Sequence, residues 1–272
     1  MYVVWNGGRP IVILSKPKVI DDTIINNGMR DGSLVRSKGV RKAWNDITSS
    51  PILLGETGTE WQWRGKVWNP EFSSSSLSKY LKIINQACEQ VIETIRSTTS
   101  ASDVEVDPQV CPNQSSINIE NLKELAYIRA IIKETLRLYS VGSGSTSLET
   151  QRDTVIEGKV IPRGTRVSWS MLAAGRDPEV YANPEEFLPE RWLENNKESN
   201  VLPMIDFGSG SHRCLGEHLS MLEATMMLAL LILNFDWELV NGRSSLEQLQ
   251  QNILIYPSDK MPVRFRLRNN KK

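Results

Sequence analysis

Histidine is nearly missing from this sequence, cysteine is scarce, and net charge is nil. Only His212 and His218 stand among the 272 residues, so a metal site has just two imidazoles to draw on. Lysine plus arginine number 32, as do aspartate plus glutamate. A nucleic-acid binder carries a basic excess, so that class is disfavoured. Basic residues do cluster in RSKGVRK (36–42) and RFRLRNNKK (264–272), which read as solvated surface and a charged tail. The cysteines are Cys88, Cys111 and Cys214. An odd number without repeated spacing is no disulfide framework, and a reducing compartment is the simplest inference. No CxxC pair exists to build a structural zinc site. No stretch is long and apolar enough for a clear membrane span, and no signal peptide is visible. Leu222–Leu233 is apolar, but Glu223 interrupts its start and it reads as a buried helix. There is no internal repeat.

What is present reads as a mixed chain, mainly α with small separate β-sheets. YVVWNGGRPIVIL predicts a hairpin turning at Asn6-Gly7-Gly8. KPKVIDDTIINN has helical spacing at Val19, Ile20, Ile24 and Ile25. Residues 29–58 read as mixed and turn-rich, and residues 60–68 as a short helix stopped by Asn69-Pro70. Residues 76–97 predict an amphipathic helix with Leu81, Ile84, Ala87, Cys88, Val91, Ile92 and Ile95 on its apolar face. A polar stretch at 98–117, with two prolines, reads as a linker between an N-terminal part (1–97) and a C-terminal part (118–272). The C-terminal part opens with a helix over about 119–139. Short strands follow at DTVIEG, KVIP and TRVSW, then a coil to Pro203. A long helix over Leu215–Leu233 comes next, and strands near 235–240, 253–256 and 263–267 close the chain.

The most informative stretch is FGSGSHRCLG, residues 207–216. Cys214 ends a glycine- and serine-rich loop immediately before the predicted Leu215 helix. Unpaired amides and the dipole at a helix start favour thiolate over thiol. Arg213, and His212 when protonated, act in the same direction. Gly208 and Gly210 free the backbone for close approach to a flat ligand. Such a thiolate suits a metal ligand or a nucleophile. Three chemistries are open on the residues alone: a zinc site using Cys214, His212 and His218, a cysteine nucleophile with a histidine base, and an inert cysteine in a glycine turn. For His218 a partly exposed helix position is the plainer reading.

The loop resembles the haem-binding loop of the cytochrome P-450 superfamily, with Phe207, Gly210, Cys214 and Gly216 in its pattern and His212 at the position usually held by arginine. Companion landmarks follow in family order. KETLR carries an ExxR pair, Glu134 and Arg137, on one helix face. FLPERW resembles the PERF segment and supplies Arg191. GTEWQWRGKVWNPEF resembles the helix whose tryptophan and arginine contact a haem propionate. There Trp61 matches, Gly65 stands where the arginine is expected, and Arg64 is the neighbouring candidate. Leu148 likewise stands where the family often has an arginine.

The resemblance implies a cytochrome P-450-like fold and haem (iron protoporphyrin IX) as cofactor, with Cys214 as proximal iron ligand. Trp61, Arg64, Phe207, Gly208, Gly210, His212 and Gly216 would bind the cofactor. Glu134, Arg137 and Arg191 would form a structural cluster. It further implies a monooxygenase served by a reductase or ferredoxin and acting on a small, lipophilic organic substrate. A thiolate ligand favours O–O cleavage. The family's distal helix, with its acid–threonine motif, has no counterpart in the sequence, so no catalytic acid is identified. The alternative is a shortened, inactive family member that at most binds haem or serves as an interaction module. No anchor or signal is visible; a full-length relative would be expected to carry a membrane anchor if eukaryotic.

Overall fold

The computed structural model describes residues 1–28, 31–48, 56, 58–73, 75–98, 125–142, 147–193, 206–208, 213–247, 249–251 and 254–268. The expected 98–117 linker falls almost wholly outside them, as do Cys111, Gly210 and His212. Two compact units are formed. The first comprises Met1–Glu71, Lys133–Leu188 and Asn196–Leu215; the second comprises Phe72–Ile132, Pro189–Asn195 and Gly216–Lys272.

The first unit is built on a five-stranded sheet. Strands β1 (Tyr2–Asn6) and β2 (Arg9–Leu14) form the expected antiparallel hairpin. Gly7 and Gly8 both adopt positive φ, 55° and 78°. Two such residues give a turn whose twist matches the strands. The helical segment that follows is α1 (Pro17–Ile20), running into a π-helical turn at Asp21–Gly28. Ile20 and Ile24 are fully buried, as their spacing predicted.

The turn-rich expectation for residues 29–58 is corrected. Strand β3 (Leu34–Arg36) and helix α2 (Lys38–Thr48) lie there. α2 carries three basic residues beside an apolar set, Val40, Ala43, Trp44 and Ile47, spaced i, i+3, i+4, i+7, a helical period that the reading of this stretch passed over. Helix α3 (Gly58–Trp68) ends where Asn69-Pro70 predicted. Strand β4 (Leu148–Thr150) was also not foreseen. It gains its place by pairing with β3 and with β7 (Arg166–Trp169). Strands β5 (Thr154–Ile156) and β6 (Lys159–Ile161) make a separate hairpin. The sheet order is β1-β2-β7-β4-β3, with β2 and β7 parallel. Val12, Leu14, Ile20, Ile24, Leu34, Leu148, Val167 and Trp169 form its core, with the short helix α6 (Met171–Ala174) packed in. Each such fully buried aliphatic stabilises by about 1.5–3 kcal/mol relative to exposure.

Helix α5 (Ala126–Leu138) falls inside the predicted 119–139 helix and carries the ExxR pair. Among the described residues, the predicted coil after Arg176 contains a 3-10 turn, Pro189–Trp192.

The second unit pairs α4 (Ser78–Thr98) with α7 (Glu217–Asn234). On α7, Leu222, Thr225, Met226, Ala229 and Leu230 are buried, the i, i+3, i+4 stripe of a core-facing helix. They meet Ile84, Cys88 and Ile92 of α4. The stripe on α4 is narrower than the sequence suggested: Ala87 and Val91 are exposed because they sit on its flank. Beyond α7, β8 (Phe235–Leu239) pairs with β11 (Val263–Leu267), and Phe235 meets Phe265 edge-on at 5.5 Å. Helix α8 (Ser244–Glu247) and the ribbon of β9 (Leu249–Gln251) and β10 (Ile255–Pro257) complete the unit. Among the described residues no helix is long and apolar enough to cross a membrane.

Candidate haem-thiolate site

Glu134 and Arg137 sit three residues apart on α5, where side chains share a face. Both are fully buried, with 0% and 1% of their surface exposed. The pairing is two-pronged: Arg137 Nε donates to Glu134 Oε2 at 2.9 Å and Nη2 donates to Oε1 at 2.7 Å. The remaining guanidinium protons also find acceptors. Nη1 donates to the carbonyls of Gly175 (2.6 Å) and Pro184 (2.7 Å), and Nη2 donates to that of Glu186 (2.9 Å). All five donors of the fork are thereby used. The Tyr181 ring lies 5.1 Å from the guanidinium carbon, a cation–π contact. Glu134 Oε1 also accepts the Leu188 amide at 2.9 Å. One buried ion pair thus fastens the irregular chain from Gly175 to Leu188, which has little regular structure to satisfy its own carbonyls.

Gly175 is needed for that fit. A Cβ there would overlap the Arg137 carbonyl oxygen, a backbone atom that cannot swing aside. Gly175→Ala is expected to lower the unfolding free energy by about 3 kcal/mol, the upper part of the overpacking range. A urea titration comparing midpoints at unchanged slope checks this.

Cys214 is an exposed free thiol. Its amide donates to the Phe207 carbonyl at 2.7 Å, which closes the loop back on its own start. Gly208 adopts φ 76°, a backbone state suited to glycine. Gly216 is the N-cap of α7 and makes no side-chain cap hydrogen bond. Phe207 and Cys214, two of the expected loop residues, are thus joined by the bond between the Cys214 amide and the Phe207 carbonyl. Gly210 and His212, expected in the same loop, lie outside the described residues.

The other expected residues are distributed as follows. Trp61 is buried in α3, beneath Gly65. Arg64 is partly exposed and bound to Glu60 of its own helix, with Nε and Nη2 at 2.9 and 2.8 Å from one carboxylate oxygen. Arg191 is buried in the 3-10 turn. Leu148, where an arginine was expected, is a fully buried core residue of β4.

Two residues that sequence reasoning missed stand beside the loop. Asp206 immediately precedes Phe207. Burial pushes its carboxyl up to about 6, against the opposing pull of a hydrogen bond from Ser140 and the charge of Arg137. Ser140 is fully buried just past α5, and its hydroxyl donates to the Gly142 carbonyl at 2.8 Å. No local pattern marks either residue, because their burial is created by the tertiary fold.

Does this donor set fit a haem? Such a cofactor would ask the protein for a soft sulfur ligand and an approachable backbone. Cys214 is exposed and its loop is closed by a short hydrogen bond, with a positive-φ glycine alongside. Cys88, the other described cysteine, is buried in the second unit, where burial pushes its thiol up. Cys214 therefore fits and Cys88 does not.

Residues 103–265, more than half of the chain, match the model of the cytochrome P-450 family. The chain belongs to the cytochrome P-450 family. Relatives include 5-OH-xanthotoxin synthase of Pastinaca sativa, 38% identical over 48% of this chain and 27% of its own length. Sterol 26-hydroxylase of Rattus norvegicus mitochondria is 31% identical, over 54% of this chain and 28% of its own. Luvungin A synthase of Citrus sinensis is 28% identical, over 82% and 43%. The chain thus spans less than half the length of each of these relatives. Among solved structures, a cytochrome P450DA haem domain superposes with TM-score 0.75 at 15% identity, covering 98% of this chain and 89% of that one. The fold expected from the sequence, mainly α with small sheets, is that of this family. Haem is the family's cofactor.

Proposed function

We propose that this chain is the haem-binding part of a thiolate-ligated monooxygenase, with Cys214 as the iron ligand. The observation that carries this is the closed loop: Cys214, at the cysteine position of the family motif, has an exposed thiol, and its backbone amide donates to the Phe207 carbonyl at 2.7 Å. When bound, the cofactor supplies dioxygen activation, and the net reaction joins RH, O2, two electrons and two protons to give ROH and water. The chain's own residues do simpler work. Cys214 provides the sulfur, and Gly208 lets the loop lie close to a flat ring. Gly210, Gly216 and His212 belong to the same loop. Phe207 shields the sulfur, and Trp61 and Arg64 are the candidates for the propionates. Reaching a propionate requires Arg64 to leave Glu60, an exposed pair worth little. Glu134 and Arg137 hold the chain beside the loop, and Arg191 is assigned to the same structural role. The electrons would come from a reductase or ferredoxin, and the substrate is a small lipophilic molecule.

The test is the difference spectrum of haem-supplied, dithionite-reduced protein with and without carbon monoxide. A strongly red-shifted Soret band is expected. Absence of haem uptake would overturn the reading.

A second reading is favoured by one observation: the family's (A/G)Gx(D/E)T-type motif does not occur in the sequence, and only 27 residues separate α4 from α5. On that reading the chain binds haem but does not turn over. Peroxide as a surrogate oxidant separates the two. Oxygen transfer at the rate of an intact enzyme supports the first, and haem uptake without transfer supports the second.

A further inference from the structure

The five-stranded sheet ends on an apolar edge. β1 (Tyr2–Asn6) stands first in the order β1-β2-β7-β4-β3, and among the described residues no strand pairs with its outer side. Both of its faces are exposed: Val3 and Trp5 by 52% and 72% on one, Tyr2 and Val4 by 47% and 40% on the other. Edge strands are normally blunted by lysine, proline or a bulge. β1 has none of these. Its sequence is YVVWN, and its register with β2 is unbroken from Tyr2↔Ile13 to Asn6↔Arg9.

That register fixes which backbone groups face outward. Trp5 stands opposite Pro10, which has no N–H, so these two cannot exchange a full pair of hydrogen bonds. Bonded and non-bonded pairs alternate along an antiparallel ladder. Tyr2, Val4 and Asn6 therefore turn their N–H and C=O toward β2, and Val3 and Trp5 turn theirs to the open edge.

We propose that β1 pairs antiparallel with β1 of a second copy of this chain, about a two-fold axis at Val4. Val3 of each copy then exchanges backbone hydrogen bonds with Trp5 of the other, and the two sheets become one. An aromatic side chain faces a β-branched one in each such pair, a stabilising combination. Charge fits the same arrangement. β1 carries no charged side chain, and antiparallel pairing sets the two Arg9 turns at opposite ends, where a parallel pairing would bring them together. A bilayer would accept the apolar side chains but leave the outward N–H and C=O groups unserved; a second β1 serves both. One strand pair covers less than the roughly 1,200–2,000 Å² of a standard interface, so the dimer is reversible and concentration-dependent. None of this rests on haem or on Cys214.

Sedimentation equilibrium of the full chain over a concentration series is expected to show monomer and dimer in exchange. Val3→Pro removes an outward N–H without touching the bonds to β2, and Val3→Lys puts a charge on the edge. Each is expected to weaken dimerisation about tenfold or more while the urea midpoint of the dilute protein stays nearly unchanged. Val4→Cys reads the register, because directly opposed residues of a non-bonded pair have Cα atoms about 4.5 Å apart, within disulfide reach. Mild oxidation of Val4→Cys is expected to join two copies through position 4, identified by peptide mapping so that the native cysteines are told apart. Val3→Cys, displaced from the axis, is expected to cross-link little. A chain that stays monomeric throughout, dimers undiminished in both Val3→Pro and Val3→Lys, or cross-linking through position 3 in preference to 4 would each overturn the proposal. So would a monomer that binds uncharged phosphatidylcholine vesicles through Trp5 instead of dimerising.

Discussion

Replacing Arg137 by alanine is expected to remove about 3–5 kcal/mol of unfolding free energy, the cost of breaking a buried ion pair by deleting one partner. Domains of ordinary stability hold only about 5–15 kcal/mol in total, so most of the folded population is at stake. The loss has two parts. Glu134 is left as a buried carboxylate that keeps the Leu188 amide but loses its counter-charge. The carbonyls of Gly175, Pro184 and Glu186 lose the donors that held them at 2.6–2.9 Å. Arg137→Lys keeps the charge but has three donors on a point charge instead of five on a fork, so it is expected to recover only a minor part. Glu134→Gln is expected to fall between, because an amide oxygen still accepts one bond while the cation loses its counter-charge.

A double substitution, Glu134→Leu with Arg137→Met, distinguishes the two parts. Removing both charges relieves the ionic penalty. The three carbonyls stay unserved, so stability is expected to recover partway rather than fully. Urea titrations of the double variant, of Glu134→Leu and Arg137→Met singly, and of the unaltered protein supply the cycle. Full recovery would mean that the pair is held for its charge alone and that the Gly175–Glu186 carbonyls are satisfied elsewhere.

This cluster also shows what a sequence can and cannot carry. The i, i+3 spacing of Glu134 and Arg137 is local and was legible, and so were the hairpin glycines and the 222–230 stripe of α7. Their signals live within a few residues. The partners of Arg137 are backbone carbonyls 38 to 49 residues away, and no side-chain identity announces a carbonyl. Helix α2 was missed although Val40, Ala43, Trp44 and Ile47 carry a helical period, because it is a single short stripe flanked by glycines and serines that read as turns. β4 was missed because three residues carry no alternation; its place comes from β3 and β7. Asp206 was passed over for the same reason: an aspartate before a glycine-rich loop reads as turn chemistry until the fold buries it. The cysteine loop itself was legible as a motif, but the 2.7 Å backbone bond from Cys214 to Phe207 was not, because no side-chain identity announces a backbone partner.

The second large effect concerns Cys214. Cys214→Ala is expected to abolish the red-shifted band of the reduced carbon monoxide complex completely, since no other described cysteine can take over the iron. Cys88 is buried in the core between α4 and α7, and its thiol is pushed up by burial and further by the charges of Glu223 and Glu89. A buried, protonated thiol is a poor ligand. Cys88→Ser is therefore expected to leave the band unchanged. Cys214→His separates ligation from loop structure: the Cys214 amide, not its side chain, makes the bond to Phe207, so the loop should survive the change. Haem bound to that variant is expected to give a band without the thiolate shift. A red-shifted band persisting in Cys214→Ala would move the ligand elsewhere, and Cys111 would be the residue to replace next.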